Sequence, residues 1–254
     1  MDTLTTSEER KSLKTPSAPL DERYFLEGPR SRMQELFFTF RVLKEFIRGF
    51  RVLHFVGPCV AVFGSARVKS DSQYYDEAME MGRGIASLGF TVMTGGGPGV
   101  MEAASKGARQ AGGRTVGCNI ILPKEQQPNK WLNVEYACRY FFVRKVLMFK
   151  YSYGFVIMPG GIGTVDEFFE ALTLIQTGKI INFPIVLMNK GYWAPVTELL
   201  HNMLAENMID AADLKYILVT DSTKEAIAHL REYAISQYRR KRKMVFRKFK
   251  WLGE

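Results

Sequence analysis

The sequence predicts an α/β fold, a parallel sheet covered by helices on both faces. Two observations predict it. From Cys59 onward, short apolar runs of about four to seven residues alternate with helical patterns of about 11–18 residues. Right-handed βαβ units sharing one sheet produce that alternation. Two of the strand-like runs also end in dense glycine, at the strand ends where such sheets bind their ligands. The fold class is Rossmann-like, a single domain with an N-terminal helical extension.

Along the chain, residues 1–30 read as a flexible leader. Residues 31–56, "SRMQELFFTFRVLKEFIRGFRVLHFV", place apolar side chains at helical spacing among Arg41, Lys44, Arg48 and Arg51. They read as an amphipathic helical extension of one or two helices that packs on the main domain or a partner, core packing being the simpler reading. The Rossmann-like domain spans 57–238. It opens with strand "CVAVFGSA", which ends in small residues, and helix "DSQYYDEAMEMGRGIASLG". Strand "FTVMTGGGPG" then runs into helix "VMEAASKGARQAG". Strand "TVGCNIIL" and a polar loop follow, after which "YACRYFF" leads into helix "VRKVLMFKYS". Strand "GFVIMPGG" feeds helix "TVDEFFEALTLIQTG", "PIVLMN" feeds "WAPVTELLHNMLAENM", and "YILVTD" feeds "STKEAIAHLREYAISQY". Residues 239–254 form a basic tail.

The net charge of +9 on 254 residues suggests a nucleic-acid partner until it is located. Eight Lys/Arg against one acid lie between Arg239 and Glu254, leaving +2 for the rest. The tail, with Phe246, Phe249 and Trp251 among its charges, could lie on an anionic surface, membrane or nucleic acid. A solvated end to the last helix is its plainer reading. Cys59, Cys118 and Cys138, odd in number and set in apolar runs, read as reduced thiols of a cytoplasmic protein. His54, His201 and His229 form no pair at ligand spacing, so no metal is expected. The N-terminus lacks the apolar core of a signal peptide, and no uncharged apolar run reaches membrane-spanning length.

The chemistry points to "TGGGPGVME" and "MPGGIGTVDE". In each, a strand ends in glycines and a helix begins at once, so free amides and the positive end of the helix dipole favour an anion. A dinucleotide fingerprint from Gly95, Gly97 or Gly161 fails at Val100, Glu102 or Asp166, and the one Gly-Lys pair, at Gly178, precedes Ile180, which excludes a P-loop. A monophosphate remains the better match. Asp166 and Glu167 stand where an anion loop should avoid acids. Thr164-x-x-Glu167 fits a capping box. Glu102, three residues after Gly99, stands at a matching place without a Ser or Thr to form one. A sugar explains both: a carboxylate beside the anomeric carbon can hold ribose hydroxyls and stabilise the positive charge of a breaking N-glycosidic bond.

"PGGIGTVDE" resembles the PGGxGTxxE signature of the Lonely Guy (LOG) family, cytokinin riboside 5′-monophosphate phosphoribohydrolases. "TGGGPGVMEAASKGA" is similar to their second glycine loop and "VRKVLMFK" to the Arg-Lys helix before the signature. The resemblance covers roughly residues 57–235. It implies hydrolysis of a nucleoside 5′-monophosphate, AMP or a cytokinin riboside monophosphate, to base and ribose 5-phosphate, with no cofactor and in a homodimer or higher homo-oligomer. It implies Arg144 and Glu167 as the catalytic pair, with phosphate bound by Gly160, Gly161, Gly163 and Thr164 together with Gly96, Gly97 and Gly99, and ribose by Glu102. A surface arginine is the other reading of Arg144. An older label for such homologues, lysine decarboxylase, finds no pyridoxal phosphate motif here. Relatives that carry molybdenum cofactor make a non-catalytic carrier of a phosphorylated ligand the alternative function.

Overall fold

The computed structural model describes residue 26 and residues 28–122 and 127–241. Most of the expected leader, and the basic tail from residue 242, lie outside these residues. The described strands are β1 (Cys59–Phe63), β2 (Thr91–Thr94), β3 (Thr115–Ile120), β4 (Val134–Cys138), β5 (Ser152–Ile157), β6 (Ile185–Met188) and β7 (Ile217–Thr220). They form one sheet, in the order β4-β3-β2-β1-β5-β6-β7, with every neighbouring pair parallel. The chain steps outward from β1 to the β4 edge, then returns to lay β5 against the free side of β1. That reversal opens a crevice at the carboxyl ends of β1 and β5, where connections leave in opposite directions.

The helices are α1 (Arg32–Leu53), α2 (Gln73–Ser87), α3 (Val100–Gln110), α4 (Phe141–Tyr151), α5 (Ile162–Gln176), α6 (Lys190–Ala205) and α7 (Thr223–Lys241). One sheet face is buried under α1, α4, α5 and α6 through Phe38, Leu53, Leu147, Phe168 and Trp193. The other is buried under α2, α3 and α7 through Tyr75, Met81, Ile85, Ala104 and Leu230. Strands β1, β2 and β6 are buried at every position, as a doubly covered parallel sheet demands. β4 differs: it alternates exposed and half-buried residues until Cys138, because it is the edge strand.

Phe155 on β5 fixes the centre. Its ring meets Phe63 of β1, Phe149 of α4 and Phe183 edge-on, at centroid distances of 4.9, 4.7 and 4.9 Å. Truncating it to Ala would cost about 3–5 kcal/mol and loosen the strand that feeds the crevice. The three cysteines are buried and unbridged; burial pushes the Cys59 thiol up to about 12. Among the described residues no helix is long and apolar enough to cross a membrane, and no His/Cys/Asp/Glu group could hold a metal ion.

Candidate active site

Two loops meet over the crevice. Phe63, the last residue of β1, is in register with Ile157 of β5. Beyond them Met158 N donates to Phe63 O at 2.9 Å and Ser65 N to Pro159 O at 3.0 Å, so the segments Gly64–Arg67 and Met158–Gly161 run together. Val100 N, the first amide of α3, donates to Ser65 O at 3.1 Å. These loops enclose a cleft of about 780 Å³, within the range of small-ligand sites.

Helix α5 begins at Ile162 with Gly161 as its N-cap, and no side chain caps it. The helix therefore starts two residues before Thr164, and the capping box does not form. Thr164 lies in the first turn and Glu167 in the second, both buried. A Cβ built on Gly161 or Gly163 meets nothing within 4 Å. Neither glycine is required by the packing of the chain; both leave room in front of unsatisfied helix amides, which suits an anion. Tyr192 of α6 steadies the loop by donating its hydroxyl to Gly160 O at 2.6 Å.

Glu167 is 5% exposed, and its Oε2 has no hydrogen-bond partner. Burial raises its carboxyl from 4.5 to about 7; Arg144 and Lys145 pull it down, while Glu170 and Asp166 push it up. Arg144, one turn into α4, is anchored by Nε donating to Cys118 O at 2.9 Å. Its guanidinium passes over Gly95, where a Cβ would meet Nη2. Arg144, Glu167, Asp166, Gly160, Gly161, Gly163 and Thr164 all line the cleft.

Gly96, Gly97, Gly99 and Glu102 do not line it. The first loop is fastened elsewhere: Asn129 Nδ2 donates to Gly96 O and Gly97 O at 3.0 Å each. Gly99, at φ +68°, packs against the Ser65 carbonyl. Glu102 lies in the first turn of α3, where its charge helps raise the Tyr75 hydroxyl after the larger effect of burial. Gly64, Ser65, Arg67, Tyr74, Met101, Phe141 and Tyr192 also line the cleft, and none of them was expected from the glycine motifs. The small residues ending "CVAVFGSA" were the signal for the first two. The aromatic and Arg67 positions carry none.

Fold and site together define a Rossmann-like protein with a glycine-lined cleft at the sheet's switch point and a buried carboxylate inside it. A family model described as "Possible lysine decarboxylase" matches residues 101–230, and the chain belongs to that family, which includes the LOG proteins. It is 29% identical over 181 residues to cytokinin riboside 5′-monophosphate phosphoribohydrolase LOG3 of Arabidopsis thaliana, covering 69% of this chain and 82% of that one. A protein of the same enzyme name from Rhodococcoides fascians is 30% identical over 179 residues, covering 68% and 88%. The molybdenum cofactor carrier protein of Chlamydomonas reinhardtii is similar in structure, with TM-score 0.52 and 25% identity over 70% of this chain and 99% of that one.

Proposed function

We propose that the protein hydrolyses the N-glycosidic bond of a nucleoside 5′-monophosphate, of the AMP or cytokinin riboside monophosphate type, to free base and ribose 5-phosphate. The observation that carries this reading is Glu167, a buried carboxylate with an unpartnered oxygen, in the same cleft as a glycine-rich helix start. A site that only held phosphate gains nothing from a carboxylate beside it. In this reading the amides of the Gly160–Gly163 segment, the Thr164 hydroxyl and the Arg144 guanidinium hold the phosphate, and the ribose lies toward Glu167. As the bond from C1′ to the base nitrogen breaks, its electron pair leaves with the base, which takes up a proton. The ring becomes oxocarbenium-like, and ionised Glu167 stabilises it and accepts a proton from the water that adds to C1′. Glu102 and the first glycine loop would act from outside the cleft lining, with Glu102 reaching the ribose hydroxyls only at its margin.

Names of relatives support the same reaction. Decarboxylation of lysine through pyridoxal phosphate is not supported, because no lysine is among the described residues that line the cleft to form its Schiff base. The likeness to a molybdenum cofactor carrier favours a second reading, transport of a phosphorylated ligand without turnover. We also propose a homodimer as the working unit, since Phe141 and Ile162 at the cleft are exposed, Ile162 to 90%. Incubation with AMP and other monophosphates, followed by chromatography for free base, separates the readings. Release that Glu167→Gln abolishes while ligand still binds supports the hydrolase. Tight binding without release supports the carrier.

A further inference from the structure

Helix α4 carries Arg144, yet its own N-cap residue, Tyr140, makes no side-chain cap. A residue of the helical extension takes that place. Glu45 Oε1 on α1 accepts from Arg139 N at 2.8 Å and from Tyr140 N at 3.1 Å. A carboxylate is favourable there, where the helix start is positive. The carbonyl of the same Glu45 accepts from the Tyr136 hydroxyl at 2.7 Å, so the edge strand is fastened at the same point. Tyr140 in turn receives Arg144 N on its own carbonyl at 3.1 Å. A continuous hydrogen-bonded path thus runs from Glu45 through one residue to the backbone of Arg144.

The rest of α1 is fitted to hold this contact. Phe38 meets Tyr140 edge-on at 5.2 Å. At Gly49 a Cβ would press on the Leu147 side chain, so the glycine helps the two helices lie close together. Further on, Tyr151 donates its hydroxyl to Phe50 O at 3.4 Å. Because α1 precedes the stretch 101–230 that the family model matches, this support is supplied by the chain's own extension.

We propose that Glu45 is a positioning residue of the active site: by capping α4 it fixes Arg144 over Gly95, where the guanidinium can hold the phosphate of the ligand. The proposal rests on the phosphate-binding role given to the cleft above. Ribose 5-phosphate, a ligand for the hydrolase and carrier readings alike, is the probe. Calorimetric titration of the full chain compares wild type, Glu45→Ala, Arg144→Ala and the double variant. Loss of the cap weakens binding about five- to tenfold in Glu45→Ala, and causes no further loss once Arg144 is absent. Amide exchange across residues 141–146 speeds up in Glu45→Ala. Glu45→Gln, which keeps an acceptor oxygen, falls between wild type and Glu45→Ala, and runs the same cycle if the alanine variant does not fold. Equal losses with and without Arg144, or no loss, overturn the proposal, because a merely structural role weakens both backgrounds alike. A wild-type chain that binds ribose 5-phosphate but frees no base from any monophosphate removes the hydrolase reading alone. One that binds no ribose 5-phosphate removes both.

Discussion

Lys145 Nζ lies 2.9 Å from Asp166 Oδ2 and also pairs with Glu170, tying α4 to α5 one residue away from both Arg144 and Glu167. Burial works against the Lys145 charge, but the two carboxylates outweigh it and hold the ammonium above its usual range. The same positive charge helps keep Glu167 from rising further. Replacing it with Met therefore raises the Glu167 carboxyl. If Glu167 acts as a carboxylate, base release by wild type increases as pH passes about 7, and in Lys145→Met that increase moves to higher pH. The ion pairs, partly exposed, contribute only about 1 kcal/mol to stability. Overlapping pH–rate profiles for the two proteins would show that Glu167 does not titrate in the rate.

Glu167 itself couples activity to stability. Its carboxyl is near 4.5 when unfolded and about 7 when folded, so the native state binds the proton more tightly. Stability from this group is fully present below pH 4.5 and is lost as pH rises through about 7, at a cost of about 3 kcal/mol once both states are ionised. Glu167→Gln removes that cost. The variant should melt at a higher temperature than wild type at pH 8, and the gap should narrow steadily toward pH 4.5. Turnover falls by about 10²–10⁴-fold in the same protein. A melting difference that ignores pH would place Glu167 in contact with water.

Much of this site was legible because glycine and charge are local signals. "GFVIMPGG" followed by a helix fixes a strand, a tight loop and a helix start, and the structure places them so. The capping box was misleading: Gly161 lets α5 begin two residues before Thr164, which puts Glu167 in a buried second turn instead of at the cap. Glu102 follows Gly99 by three residues, as Asp166 follows Gly163, but the Gly99 turn packs on Ser65, so the first loop leaves the cleft lining to Gly95 and Met101. That difference depends on which strands are neighbours, and the alternation of strands and helices does not encode sheet order. Nor does it reveal β4, whose half-exposed pattern reads poorly until α1 covers it. Tyr192 reaches Gly160 from 32 residues away, a contact no local pattern contains.

Tyr192→Phe isolates that contact. It deletes one hydroxyl donor and leaves the ring beside Trp193 at 5.0 Å and Tyr74 at 6.4 Å. The Gly160 carbonyl loses its partner at a cost of about 1 kcal/mol. Because the loop meets the ligand in both ground and transition state, KM for the monophosphate should rise several-fold with kcat little changed. Steady-state kinetics read the split, and a fall in kcat at constant KM would give the hydroxyl a role in the chemistry.

Glycines that serve a ligand and glycines that serve the chain should separate under a single added methyl. Gly163 is in the first turn of α5, is not in the left-handed region, and has open space where a Cβ would go. Gly163→Ala should therefore leave stability unchanged or raise it by about 0.5–1 kcal/mol, since alanine loses less backbone freedom on folding. The methyl fills the space in front of the helix amides, so phosphate binding should fall at least tenfold, an order-of-magnitude figure for a blocked contact. Gly99 has φ +68°, and a Cβ there runs into the Ser65 carbonyl. Gly99→Ala should cost about 2 kcal/mol or more, and its ligand affinity should fall only as far as the fold is lost. Melting curves and ribose 5-phosphate titrations on both variants make the comparison. If Gly163→Ala binds the phosphate ester as wild type does, the anion does not sit at the start of α5.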